Sequence, residues 1–269
     1  MLIVLSNSDD MLYVHENNIK NKISTNYKGK KQELADFYNN EYLKMRNDLN
    51  KIAFTDKDKN TFIQATKIIN DYRAVLSKFA KDNKILSQSK FESTFLEEIS
   101  VYLFKDIPEI KSGEFGIFNK GIYAGLKIDN NKKIDFITKD VDFCIGKKAN
   151  IYVDNDEPKE IILPIVAVEV KTYLDATMFG EVKSSSKSIR SASPNSKAYV
   201  LMGYKSIDDE HIVASRQDAT LTEMFCLQEN ENDEIHWNVL YDYWLEITGV
   251  INDLSHPNMV NKVGKLLNN

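Results

Sequence analysis

The sequence predicts an α/β protein: a mixed central β-sheet flanked by helices, with a helical elaboration at the N-terminal end. Three observations carry this. An apolar, β-branched run from Ile161 to Val168 reads as a buried strand and leads into Glu169 and Lys171. A second short strand candidate lies upstream, Lys139-Asp140-Val141-Asp142-Phe143-Cys144-Ile145. Between Gln32 and Phe104, three segments repeat apolar residues at three- and four-residue spacing. A chain of 269 residues with 42% hydrophobic content can bury a substantial core.

Taken in order, Leu2 to Leu5 is a short strand candidate. Gln32 to Ile52 reads as a helix, with Leu34, Phe37, Tyr38, Tyr42, Met45 and Leu49 on one face. Thr61 to Lys81 reads as a second amphipathic helix, capped by Thr55 or Asn60. Ser89 to Phe104 is the third, and its apolar face holds Phe91, Phe95, Leu96, Ile99, Tyr102 and Leu103. At 100° per residue Glu92 falls within that face, Glu98 at its edge and Glu97 opposite. Ile107 to Lys132 holds Gly113, Gly116, Gly121 and Gly125 and reads as loops and short strands ending in the turn Asp129-Asn130-Asn131. The glycine spacing fits no dinucleotide or Walker pattern.

Lys133 to Ile145 supplies the Asp142 strand, and polar residues from Lys147 to Lys159 form a hairpin loop before the strand Ile161 to Lys171. Asp175 can cap a helix running to about Ser191, on which Lys183, Lys187 and Arg190 share one face. Ser184, Ser185, Ser186 and Ser188 are candidates for further hydroxyl contacts. Ala198 to Gly203 and Met224 to Leu227 are strands, with Arg216 and Gln217 before the latter. Trp237 to Leu254 is a C-terminal helix whose aromatics suit core or dimer packing.

The chemistry resides in Asp142, Glu169 and Lys171. Glu169 and Lys171 are two apart, so both leave the same strand face while Val168 and Val170 enter the core. A carboxylate and an ammonium on a buried strand are costly unless they pair or bind a metal. Two carboxylates and a lysine on neighbouring strands can hold a divalent cation through Asp142 and Glu169 and prepare a water for attack on phosphate. Oxygen ligands select a hard cation such as Mg²⁺. A carboxylate centred on an apolar helix face, such as Glu92, also needs a partner.

At these residues the chain resembles the PD-(D/E)xK nuclease superfamily: Asp142, then Glu169-Val170-Lys171 behind an apolar run. The continuation Val-Glu-Val-Lys-Thr-Tyr-Leu-Asp-Ala-Thr-Met, from Val168 to Met178, is more narrowly similar to type II restriction endonucleases. Val141 stands where a proline usually precedes the aspartate. The resemblance covers roughly Ser89 to Tyr204. It implies a restriction-endonuclease-like core over residues 89–269, closed by the C-terminal helix; the N-terminal helical region, 1–88, reads from its own pattern either as a subdomain packed on that core or as an element that grips DNA or dimerises. It implies Mg²⁺-dependent, sequence-specific double-strand cleavage of DNA leaving 5′-phosphate ends, within a restriction–modification system. It further implies a glutamate from the preceding helix at the metal site, for which the wheel favours Glu92, with Glu98 next. Lys171 positions the water, offsets transition-state charge or acts as general base, the last requiring a neutral amine beside a cation. A homodimer, or a heterodimer with a second nuclease subunit, is expected, because two strands usually require two sites. Alternatives are a repair, junction or tRNA nuclease on the same core, and a non-catalytic DNA-binding subunit that keeps the fold.

Composition narrows the remaining classes. Cys144 and Cys226 show no zinc or disulfide spacing and read as reduced buried thiols. No membrane-spanning run or leader pattern is visible, so a cytoplasmic protein is expected. The net charge of −5 is unevenly spread. Residues 1–90 carry 16 Lys+Arg against 11 Asp+Glu, Val182 to Lys205 holds five basic residues and no acidic one, and 206–256 holds Arg216 against 12 acidic residues. The stripe Lys183, Lys187 and Arg190 therefore suits a phosphate backbone despite the acidic total.

Overall fold

A computed structural model describes residues 12–55, 57–152, 157–218 and 220–255. The strand expected at Leu2 to Leu5 lies outside these residues. The N-terminal half is helical: α1 (Val14–Ser24), α2 (Lys31–Phe37), a π-helical turn (Tyr38–Tyr42), α3 (Leu43–Asn50), α4 (Lys59–Asp82) and α5 (Ser93–Phe104). The helix expected over 32–52 is thus interrupted by one wide turn. That turn carries the tyrosines whose hydroxyls reach Glu16 (Tyr38, 2.7 Å) and Glu98 (Tyr42, 2.8 Å). The cap of α4 is Asp58, whose side chain accepts from Asn60 N at 3.0 Å, rather than Thr55 or Asn60.

Helix α1 was not expected from sequence, and its N-terminus explains why. Tyr13 at the cap position offers no side-chain bond. The buried first-turn amides of His15 and Glu16 instead donate to Glu98 Oε2 at 2.9 and 3.1 Å, across more than 80 residues of chain. Tyr42 and Tyr102 both donate to Glu98 Oε1 at 2.8 Å. His15 lies beside this carboxylate and is held neutral, pushed down to about 3 by burial and then by the charge of Lys22. Thr94 Oγ1 donates to Lys90 O, so it accepts from His15 Nδ1–H, which leaves Nε2 to accept from Tyr72 O–H at 2.7 Å.

Beyond α5 a short helix α6 (Pro108–Lys111) leads into a seven-stranded mixed sheet: β1 (Gly116–Phe118), β2 (Ile122–Ile128), β3 (Ile134–Lys139), β4 (Phe143–Ile151), β5 (Lys159–Leu174), β6 (Lys197–Lys205) and β7 (Glu223–Cys226). The central strand is β5. Antiparallel β4 lies on one side, while parallel β6 and the start of β2 lie on the other. Strands β1 and β3 extend the sheet by antiparallel pairing, and β7 runs parallel to β6. The expected strand 133–145 is in fact two, because the chain breaks at Asp140–Asp142 between β3 and β4. Strands β4 and β5 extend into the 147–159 stretch expected to be a loop, so both are longer than expected. A bulge falls between Ile145 and Gly146, where any Cβ at Gly146 would meet Leu163 O at 2.5 Å.

Helix α7 (Ala176–Ala192) covers one sheet face, α8 (Asp209–Asp218) follows β6, and α9 (Trp237–Ser255) closes the chain. Asp175 caps α7 as expected, accepting from Met178 N at 2.8 Å. Val166, Val168 and Val170 enter one apolar cluster that runs from Ile19 through α4 and α5 to α9. Burying each such side chain contributes about 1.5–3 kcal/mol. The opposite face, with Ala167, Cys144 and Ile122, packs on Ile189 of α7. Cys144 is buried and Cys226 half-buried, and both are free thiols. Among the described residues no helix is long and apolar enough to cross a membrane.

Glu98 makes stability depend on pH. Burial lifts its carboxyl to about 7 against the four donors that oppose the shift. A raised carboxyl contributes stability that is full below the unfolded value near 4.5 and is lost as pH climbs through 7. Glu98→Gln removes this titration. Urea unfolding at pH 5 and pH 8 is expected to show wild type losing on the order of 3 kcal/mol relative to the variant. An equal difference at both pH values would contradict the assignment.

Candidate active site

The antiparallel register of β4 and β5 assembles the site. Phe143 pairs with Val168, so one step further Asp142 stands across from Glu169. Asp142 precedes β4 rather than lying within it, which frees its side chain to bend over the neighbouring strand. Its Oδ2 accepts from Val170 N at 2.7 Å. Lys171 Nζ lies 3.3 Å from Glu169 Oε2 and 3.6 Å from Asp142 Oδ2, bridging the two carboxylates. Glu169 Oε1 accepts from Ser185 Oγ on α7 at 3.0 Å. The three charged side chains keep 17–26% of their surface exposed, so the cluster is recessed but reachable from solvent.

The electrostatics match this enclosure. Burial raises Asp142 above the usual carboxylate range, Lys171 opposes the rise, and Glu169 adds to it. Burial would lower Lys171, but the charges of Asp142 and Glu169 outweigh that and raise it. Lys171 is therefore a firmly held ammonium in this state. Glu97 on α5 joins the same field. Burial and then the Asp142 charge push it up to about 7, and Lys90 and Lys171 act against the shift.

Glu97, not Glu92 or Glu98, is thus the helical glutamate brought under the charge of Asp142 and Glu169. Glu92 is exposed and accepts from Ser77 Oγ on α4. Glu98 is fully enclosed among Tyr42, Tyr102 and the start of α1. The wheel misplaced them because it assumed one apolar face. Almost every residue of α5 is buried, since helices pack on one side and the sheet on the other. The direction in which Glu97 points leads to the polar sheet edge.

Lys90 was also missed. It adopts a left-handed backbone (φ 56°, ψ 23°) just before α5, and its charge acts on both Glu97 and Asp142. The basic stripe lies elsewhere. At 100° per residue, Lys183, Lys187 and Arg190 stand roughly 140–160° around α7 from Ser185, the residue that touches Glu169. Lys183 packs over the Phe179 ring at 5.6 Å, and Lys187 is exposed. Arg216 and Gln217 fall on α8, but their side chains lie outside the described residues.

Among the described residues no group of three His, Cys, Asp or Glu side chains is poised as a metal cage. The donor chemistry nevertheless fits a hard divalent cation. Asp142 and Glu169 present carboxylate oxygens to one point, now bridged by Lys171, and Glu97, raised by burial and then by the Asp142 charge, lies in the same field.

A mixed sheet with a carboxylate–lysine edge at its central strand is the architecture of restriction-endonuclease-like proteins. A family model described as Bpu10I restriction endonuclease matches residues 88–224, just over half of the chain, and the chain belongs to that family of type II restriction endonucleases. A solved structure titled "native BbvCI A2B2 tetramer at low resolution" has a similar fold, with a TM-score of 0.71 and 14% sequence identity over 89% of this chain and 96% of that one. No curated protein sequence matches significantly.

Three carboxylates, Asp142, Glu169 and Glu97, share this edge with Lys171 and Lys90, and removing the Glu97 charge lessens their mutual repulsion. In cation-free buffer at pH 8, Glu97→Gln is expected to raise the melting temperature by about 2–4 °C, the shift produced by ~1 kcal/mol in a protein of this size. Saturating Mg²⁺ should erase the advantage. A variant less stable than wild type without cation would remove Glu97 from the cluster.

Proposed function

We propose that the protein is a Mg²⁺-dependent type II restriction endonuclease of a restriction–modification system, which makes sequence-specific double-strand cuts in DNA. The observation that carries this is the meeting of Asp142, Glu169 and Lys171 across the β4–β5 register, with Glu97 in the same field. Asp142 and Glu169 would hold the cation, with Glu97 supplying further negative charge. When bound, Mg²⁺ would acidify a water and withdraw charge from the scissile phosphate.

The chain's own residues do the remaining work. Lys171, kept protonated by its carboxylate neighbours, orients the attacking water by donation and offsets charge on the pentavalent transition state. Its raised pKa favours this electrostatic role over that of a general base. Val170 N fixes Asp142, and Lys90 draws a phosphate toward the edge. Lys183, Lys187 and Arg190 bind flanking phosphates on the far flank of α7, away from the scissile bond.

A heteromeric assembly is favoured over a homodimer because the structurally similar BbvCI forms an A2B2 tetramer. Two strands are then cut by two unlike subunits. Supercoiled plasmid separates the cases: open circles from this chain alone indicate a subunit that cuts one strand, and linear DNA indicates a homodimer.

Purified protein with Mg²⁺ is expected to break unmethylated DNA at discrete positions. Asp142→Ala, Glu169→Ala and Lys171→Ala should each reduce cutting at least ~100-fold, the scale of losing an electrostatic or metal-binding group. Ca²⁺ in place of Mg²⁺ should retain DNA binding. Cutting undiminished in Glu169→Ala or Lys171→Ala would refute the site, and cleavage at random positions would favour a repair-type nuclease.

A further inference from the structure

We propose that Ser185 is a positioning residue for Glu169: its hydroxyl fixes the plane of the carboxylate so that the free lone pairs face the cation. This rests on the metal-dependent nuclease reading of the site and adds a residue from a different layer of the fold to it.

The bond has one direction. An ionised carboxylate only accepts, so Ser185 Oγ–H donates to Glu169 Oε1 at 3.0 Å. The other oxygen, Oε2, receives Lys171 Nζ at 3.3 Å. Each oxygen of Glu169 thus has one donor, and the two donors come from different elements, α7 and β5. A glutamate has three side-chain torsions, and one contact leaves rotation free, whereas two contacts at separate oxygens fix the plane. Asp142 is held differently, by the backbone amide Val170 N at 2.7 Å. A backbone amide survives substitution of side chains. The Ser185 hydroxyl is therefore the replaceable support of the pair.

The helix that presents Ser185 is anchored on both sides of it. Val182 and Phe179 pack against Leu174, Val200 and Met202, while Ile189 packs against Ile122, Cys144 and Ala167. Ser185 lies between these anchors and is itself half-buried. The hydrogen of Ser185 is committed to Glu169, so it is not a donor to DNA phosphate. That role falls to hydroxyls on the outer side of α7, such as the exposed Ser184. The serine-rich middle of this helix, which looked like one backbone-contacting surface in sequence, divides between the site and solvent.

The test is isothermal titration of the full chain with Mn²⁺, which reads cation binding without cleavage. Ser185→Ala is expected to weaken affinity 10–100-fold, the usual loss for removing a group that hydrogen-bonds a metal ligand. Alanine favours helix, so this variant should melt within about 1 °C of wild type without cation but gain less on adding it. Ser185→Thr keeps the hydroxyl and should stay within about threefold of wild type. Equal Mn²⁺ affinity in wild type and Ser185→Ala overturns the proposal, as does a Thr variant as weak as the Ala variant or a wild type that takes up no cation. If wild type binds Mn²⁺ and loses affinity on Ser185→Ala yet cuts no DNA, the nuclease reading fails while the positioning role stands.

Discussion

The structure depends on one constraint: β5 must be apolar on one face and charged at the end of the other while lying at the centre of the sheet. Val166, Val168 and Val170 are sealed under the helical layer, so strand β5 cannot slip by one residue without driving valines into the polar edge and charges into the core. Register is therefore enforced by burial. Once β5 is pinned, Glu169 and Lys171 are pinned with it, and the antiparallel partner places Asp142 opposite. The ammonium between two carboxylates follows from that register, since Lys171 at 3.3 and 3.6 Å offsets charges that would otherwise be costly at this depth.

Helix α5 ties this edge to the N-terminal helices. Two consecutive glutamates on it do opposite things. Glu98 turns into the helical layer and ends α1, making a tertiary contact serve as a helix cap. Glu97 turns toward the sheet and enters the field of Asp142. Adjacent positions differ by 100° around a helix, so a helix buried on all sides can feed two separate polar clusters from neighbouring residues. The hydrogen-bonded chain from Tyr72 through His15 and Thr94 ends on the backbone of Lys90, the residue whose charge acts on Glu97. The packing of α1 and α4 thereby helps set where α5 and its approach run.

What was legible in the sequence was local. The β5 run, the Asp175 cap, the amphipathic α4 and the aromatic α9 each carry their signal within a dozen residues, and each forms close to where expected. The Asp142–Glu169–Lys171 set was legible because strand alternation fixes the face two residues apart. What was hidden depends on distant partners. Helix α1 has no local cap, since its cap is Glu98. The break between β3 and β4 is stabilised by Val141 N donating to Asn119 O at 3.1 Å and Gly121 N to Asp140 Oδ1 at 3.2 Å, contacts from a loop some twenty residues away. The choice among Glu92, Glu97 and Glu98 required knowing that α5 is covered on both sides. Ser185 looked like one of four interchangeable serines until the sheet fixed which of them faces Glu169.

The charge distribution has the same logic. A net charge of −5 would repel a polyanion if it were uniform. Here the acidic excess lies in the segment after β6, while the residues acting on the carboxylate edge include Lys90 and Lys171. Those two lysines face three carboxylates, Asp142, Glu169 and Glu97, so the formal balance of the edge stays acidic, and burial raises Asp142 and Glu97. Under the proposed reading, an edge with residual negative charge would take a divalent cation first, and only the loaded edge would have the sign to accept a phosphate. The order of binding would then follow from the imbalance: carboxylates crowded on their own would become, with a cation among them, a surface that a DNA backbone can approach.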